Sequence, residues 1–342
     1  MHDDPRLPGR TLEPLAGGWS GETFLAAPEA RGGERLVVRR FAAARHASHA
    51  ARVQAALLRR VRDLLPVPEV RQVHDAEGAL PGLLVTELLP GERGDVVLAR
   101  LVASGRSAGV DGRGYVGRPG GVRPAGACQA GGGRGERGRE DLRTLGRALG
   151  HVAGTLAAVP TPRAGLFADA ALRVEPFHLW LPDWVDAHAP ALARTGWSGG
   201  EVAALRTVAA RAARDLDGAP PCLVHSDLNP KNVLVDPATL RVTGVLDWEF
   251  AHAGHPSTDL GNLLRFDREP AYVEGVLDGW HEGHGTADPG ERGRRRAVDL
   301  ARAADLVALV ELAARPAANP VVSGARAHLR AVARTGDVHA VP

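Results

Sequence analysis

Residues 222 to 250 constrain this chain more than any other stretch. Cys222, Leu223 and Val224 lead into His225, Ser226 and Asp227, and Asn232 follows five residues after Asp227. Val233 to Val235 form a short apolar run, Asp236 and Pro237 a turn, and Val242 to Leu246 a second run ending in Asp247. Short β-branched runs bounded by Asp, Pro and Gly predict a hairpin. A loop carrying an Asp and an Asn opens the hairpin and a second Asp ends it. Two carboxylates and one amide are thereby brought to one mouth.

That donor set suits phosphoryl transfer, which needs positioning and charge neutralisation more than covalent chemistry. Asp227 is the candidate catalytic residue, a carboxylate that orients an acceptor hydroxyl and takes its proton. Magnesium is a hard ion that prefers oxygen ligands and keeps several waters, so one carboxylate and one amide oxygen are enough: Asp247 and Asn232.

His225-x-Asp227-x4-Asn232, followed by Asp247 after a hairpin, resembles the catalytic loop and metal-binding Asp of the protein-kinase-like superfamily. Asp247-Trp248-Glu249 and the following Gly254-His255-Pro256-Ser257-Thr258-Asp259 are similar to the aminoglycoside phosphotransferase family, small-molecule kinases that also include choline, homoserine and macrolide kinases. The resemblance implies an α+β, bilobal, protein-kinase-like fold, with a small antiparallel N-terminal sheet lobe and a larger, mainly helical C-terminal lobe. It divides the chain into a nucleotide-binding lobe over 1–90 and a catalytic and substrate lobe over 91–342. It also implies ATP and magnesium as cofactors and a small-molecule hydroxyl as acceptor. Asp259 and His225 become bracing residues of the loop, and Glu249 a further metal ligand or a support for one.

Three short strands are predicted over 11–41, with Gly17, Gly18, Ser20 and Gly21 in a turn whose backbone N–H groups can approach phosphates. Alternation puts Val37 and Arg39 on one face of the third strand, Val37 against adenine and Arg39 toward phosphates. Arg39 stands where the superfamily has a lysine. Lys231 is the sole lysine of the chain. The helix predicted from Ala43 to Leu65 ends at Pro66 and carries Gln54 where the family has the glutamate that pairs with that cation. An Arg39–Gln54 contact would be a hydrogen bond rather than an ion pair. Glu87 and Leu88, in a hinge-like Thr86-Glu87-Leu88-Leu89-Pro90-Gly91, would meet the adenine edge through their backbone.

Residues 104–140 are rich in Gly and Arg and nearly free of aliphatic periodicity, which predicts a flexible insertion. Seven arginines against three acids could draw an anionic partner, but Tyr115 alone is there to stack on bases, so a solvated loop is favoured over an RNA-binding segment. Helices are predicted at Asp141–Val159, at Pro176–Ala187 with Trp180 and Trp184 as core aromatics, at Ser198–Leu216, and through most of 269–333.

A formal charge of +2 over 342 residues gives no bulk argument for nucleic acid or a membrane surface. Two cysteines make no disulfide framework. The N-terminus lacks an apolar leader run, so a soluble, cytoplasmic, monomeric protein is the default expectation. No GxxxxGK[ST] occurs, which excludes the P-loop route to the same chemistry. Two functions follow: an ATP- and magnesium-dependent kinase of a small-molecule hydroxyl, or a catalytically weakened nucleotide-binding relative of the same fold, which Arg39 and Gln54 would favour.

Overall fold

The structure, a computed structural model, describes residues 4–15, 23–28, 32–42, 49–78, 80–110, 132–177, 179–287, 289–316 and 319–342. The chain begins with β1 (Arg10–Pro14), β2 (Thr23–Pro28) and β3 (Leu36–Phe41), continues through α1 (Ala50–Val61), and returns as β4 (Val70–His74) and β5 (Gly82–Glu87). These five strands form one antiparallel sheet in the order β1-β2-β3-β5-β4. Leu36 and Val38 point into a small core with Leu12, Phe24, Leu83 and Val85. The alternate residues of β3 face the other way, so Phe41 packs with Ala51 and Ala55 of α1 in the main core. Helix α1 is shorter than its periodicity suggests: residues 62–65 form turns, and 43–48 lie outside the described residues.

After Gly91 the chain joins a different unit. β6 (Glu92–Arg93) is followed by α2 (Gly94–Val110), α3 (Gly132–Ala157), β7 (Gly165–Phe167), β8 (Val174–Pro176), α4 (Leu181–Arg194) and α5 (Gly199–Leu216). Then come β9 (Cys222–Val224), β10 (Val233–Val235), β11 (Val242–Val245), β12 (His252–Gly254), α6 (Thr258–Leu264), α7 (Pro270–His284), α8 (Gly290–Ala314) and α9 (Pro320–Thr335). β6 pairs with β10, Arg93 opposite Leu234, and β10 with β11, Val233 opposite Val245. The molecule is thus a small antiparallel sheet lobe joined to a mainly helical one.

The structure departs from two expectations. The predicted flexible insertion is helical at both ends: α2 runs to Val110, and α3 starts at Gly132, nine residues before the predicted Asp141. The apolar stripe of α3 is anchored in the core, and the Arg- and Glu-rich extension continues the helix outward with Glu136, Arg137, Arg139 and Glu140 exposed. Charged residues with long straight side chains are good helix formers and need no core of their own. Residues 111–131, with Tyr115 and Cys128, lie outside the described residues. Likewise, α4 starts later than predicted, and Trp180 is its exposed N-cap rather than a core aromatic. Trp184 is half-buried against the second core and donates from Nε1 to the Val307 carbonyl at 3.0 Å.

α3 and α7 meet along a seam of glycines spaced four apart: Gly146, Gly150 and Gly154 on one helix, Gly275, Gly279 and Gly283 on the other. A Cβ at Gly150 would stand 2.0 Å from the Val276 carbonyl oxygen, and one at Gly279 2.0 Å from that of Arg147. The backbones are in contact, so no side chain fits between them. α5 is fixed by a capping box, in which the Ser198 hydroxyl accepts from the Glu201 N–H while the Glu201 carboxylate accepts from the Ser198 N–H. α4, α5, α8 and α9 enclose a second core around Val185, Leu205, Val310 and Leu329.

Candidate active site

The loop before the hairpin is held by buried polar groups from α6. Asp259, 1% exposed, accepts the backbone N–H of His225 through Oδ2 and that of Ser226 through Oδ1, both at 2.8 Å. Burial pushes the Asp259 carboxyl up from the ordinary carboxylate range, while His225 and the two N–H groups pull it down. Asn262 accepts the Leu228 N–H at 3.0 Å and donates to Asp305 on α8 at 3.2 Å. Asp305 in turn binds the Arg265 guanidinium, with its closest contact at 2.7 Å. Two helices, α6 with its C-cap Arg265 and α8, therefore support one loop, and each buried donor on the path has an acceptor, as low dielectric requires.

His225 is fully buried and reads in one tautomer only. Its Nε2 faces the Leu246 carbonyl at 2.8 Å and so donates, while its Nδ1 accepts the Asp227 N–H at 3.3 Å. One ring thus ties the loop to the strand end that leads into Asp247. Trp248 packs on that ring with centroids 4.8 Å apart.

Asp227, Asn232 and Asp247 come together through the hairpin register. The Asn232 side-chain amide donates to Asp227 Oδ2 at 2.8 Å and to the Asp227 carbonyl at 2.9 Å. The Leu246 N–H donates to the Asn232 carbonyl at 2.8 Å, so Asp247 begins where the pairing ends. Asp247 has φ 63° and ψ 62°, a left-handed conformation that costs an ordinary residue about 1–2 kcal/mol and that Asp tolerates better than most. This turn aims its carboxylate into the cleft instead of along the strand. Because the Asn232 NH2 is committed to Asp227, its Oδ1 is directed away from Asp227. An amide oxygen and a carboxylate at one cleft wall are a hard donor set, so the residues present fit magnesium.

The cleft has a volume of about 400 Å³ and lies between the five-stranded sheet, the 84–93 connection and the hairpin. Val37, Arg39, Glu87, Leu88, Asn232 and Asp247 all line it, so six of the predicted site residues share one cavity. Asp227 adjoins it through Asn232. Glu87 is tied at its backbone and its carboxylate to Glu69, donating its N–H to the Glu69 carbonyl and accepting the Glu69 N–H, each at 3.0 Å. Gly17, Gly18, Ser20 and Gly21 lie outside the described residues.

Gln54 lines the cleft, and the described ion-pair partners of the Arg39 guanidinium are on the other lobe. Nη1 donates to Asp247 at 2.6 Å and Nη2 to Glu249 at 2.5 Å. The described hydrogen bonds of the guanidinium go to these two carboxylates rather than to Gln54, because two carboxylates attract a guanidinium more strongly than a neutral amide does. Burial pushes the Glu249 carboxyl up, Arg39 pulls it back, and Asp247 and Asp227 add to the rise.

Two contributors were missed in the sequence. Asn229 donates to Asp227 Oδ1 at 2.7 Å, and the sole lysine, Lys231, lies 3.4 Å from Asp227 Oδ2 and lines the cleft. Asn229-Pro230 was the available signal, since Asn before Pro starts turns in which its side chain bonds locally. On the helical lobe Asp278 pairs with Arg143 and Arg294, Glu282 with Arg147, and Asp186 with Arg206.

No helix among the described residues is long and apolar enough to cross a membrane. Comparison with solved structures gives the same architecture. An aminoglycoside phosphotransferase, a thermostable mutant in ternary complex with ADP and hygromycin B, superposes with TM-score 0.58 at 17% identity, covering 97% of this chain and 96% of that one. A choline/ethanolamine kinase family protein from Mesorhizobium loti gives 0.55 at 20% identity, covering 97% and 92%. These likenesses carry the bilobal kinase-like fold. Acyl-CoA dehydrogenase family member 11 of Mus musculus is 40% identical over 68 residues, 20% of this chain, and the match spans only 9% of that relative's length. The profile of the phosphotransferase enzyme family matches residues 11–110 and 98–298, most of the sequence, and the chain belongs to that family.

Proposed function

We propose that this protein is an ATP- and magnesium-dependent phosphotransferase that moves the γ-phosphate to a hydroxyl of a small molecule. The observation that carries the reading is the meeting of Asp227, Asn232 and Asp247, joined by the 2.8 Å Asn232–Asp227 and Leu246–Asn232 bonds at one side of an interlobe cleft. In this reading residues 1–90 bind the nucleotide, and 91–342 supply the catalytic loop and acceptor pocket. Val37 covers the adenine, and the backbone at Glu87 and Leu88 meets its edge. Arg39, together with Gly17, Gly18, Ser20 and Gly21, holds phosphates.

Asn232 Oδ1 and the Asp247 carboxylate would hold magnesium, which when bound neutralises phosphate charge. Asp227 does the chemistry of the acceptor. Its carboxylate accepts the hydroxyl proton and aligns the oxygen for in-line attack. Asn229 and Asn232 fix its two oxygens, which restricts the rotamer without occupying every lone pair. Lys231 stands close enough to share the charge of an incoming phosphate.

Asp278, Glu282 and Asp186 are each paired with arginine, so a polycation would have to displace those partners. This favours an acceptor that is not a polycation. A coupled ADP-release screen over sugars, amino alcohols, amino acids and antibiotics, with Asp227→Asn as the blank, tests the proposal. Acceptor-dependent release in the wild type alone is the expected result. The second reading, a catalytically weakened nucleotide-binding relative, is favoured by Arg39 occupying Asp247. It predicts ATP binding with no acceptor-dependent release from any compound.

A further inference from the structure

We infer that Glu249 is the positioning residue for Arg39, taking over from the C-terminal lobe the role of an anchoring anion on helix α1. The proposal rests on the phosphotransferase reading above, in which Arg39 holds phosphate. A cation that must meet a phosphate needs a fixed counter-charge to set its direction. Helix α1 offers only Gln54, which carries no charge. Glu249 lies two residues after Asp247 in a short turn of 3₁₀ helix, and its Oε2 is 2.5 Å from Arg39 Nη2. The Arg39 and Glu249 side chains are 12% and 14% exposed, so little water screens the pair.

The fork of the guanidinium explains why an arginine stands at this position. Its two terminal nitrogens reach two carboxylates at once, Asp247 through Nη1 and Glu249 through Nη2. A lysine ammonium is a single point charge and cannot hold both in fixed directions. When Asp247 turns to other partners, Nη2 keeps its hold on Glu249 and Nη1 becomes available to phosphate. The cation is then placed from across the cleft, and the two departures at 39 and 54 amount to one rearrangement. The anion has moved to the other lobe, and the cation has become forked to follow it.

Isothermal titration of the full chain with ATP, once with magnesium and once in EDTA, tests this. Glu249→Gln should bind ATP about tenfold more weakly in both buffers. Adding Gln54→Glu to that variant should bring affinity back to within about threefold of wild type, because it restores a counter-charge within the same cleft. Arg39→Lys gives an independent arm. It should lose about tenfold and regain most of it when Gln54→Glu supplies a simple ion pair. Far-UV circular dichroism checks that each variant is folded. A Glu249→Gln loss confined to the magnesium buffer would make Glu249 a metal ligand and overturn the inference, as would failed recovery with Gln54→Glu or wild-type binding by Arg39→Lys. A wild-type chain that binds no ATP in either buffer would remove the phosphotransferase reading itself.

Discussion

Asp227 and Arg39 belong to opposite walls of the same site, and their surroundings differ. Asp227 sits on a loop pinned by Asp259, Asn262 and His225, with Asp305 and Arg265 behind them, all buried and mutually bonded. Arg39 sits on a strand of the small sheet, and its described hydrogen bonds both cross to the other lobe. One wall is complete within its own lobe. The other has its described charge partners on the facing lobe, so its geometry depends on how the two lobes meet. In the proposed reaction such a site would fix the acceptor side in advance and leave the nucleotide side to adjust.

The largest effect should come from the point where the walls meet. Asp247→Ala removes the proposed metal carboxylate and one partner of Arg39, and acceptor-dependent ADP release should fall by about three orders of magnitude or more. Next comes the wall behind the loop. Asp305→Ala strands the buried Arg265 guanidinium and should cost about 3–5 kcal/mol in urea unfolding. Arg265→Met with Asp305→Leu removes both charges and should lie much closer to wild type. A small loss in the single variant would place the support of the loop elsewhere.

The glycine seam beneath this wall gives a comparable test. Gly150→Ala puts a methyl group where the Val276 carbonyl stands and should cost about 3 kcal/mol, while Gly135→Ala, with open space around it, should change stability little. Smallest is a pH effect. Burial holds His328 and His255 down to about 4, with nearby Arg268 and Arg302 adding to the first and Arg296 to the second. Unfolded histidines titrate at about 6.5, so the unfolded chain binds the extra protons. Stability should therefore be full above about pH 6.5 and fall as pH drops toward 4, by on the order of 2 kcal/mol after screening. His328→Leu should flatten that slope in denaturation midpoints measured across the range.

Much of the loop-bearing wall was legible in the sequence because its signals are local. The hairpin runs, the turn at Asp236-Pro237 and the spacing from 227 to 247 are set by alternation and turn chemistry. The β3 alternation likewise put Val37 and Arg39 in the cleft. What escaped depends on tertiary approach. Arg39 meeting Glu249 links residues 210 apart, and no local pattern ranks Glu249 above Gln54 as its partner. The six glycines of the α3–α7 seam read as weak helix positions until two backbones are seen in contact. The Arg- and Glu-rich start of α3 looked solvated, and it is, but as an exposed helix rather than a loop, because propensity can extend a helix already anchored by its core.

In the proposed reaction Asn232 and Asp247 hold one divalent ion beside Asp227 when nucleotide is present. Electron paramagnetic resonance of manganese, titrated into the protein with a non-hydrolysable ATP analogue, measures this directly. One tightly held ion per wild-type chain is expected, weakened by about tenfold or more in Asn232→Ala and in Asp247→Ala. Manganese bound as tightly by both variants as by the wild type would contradict it.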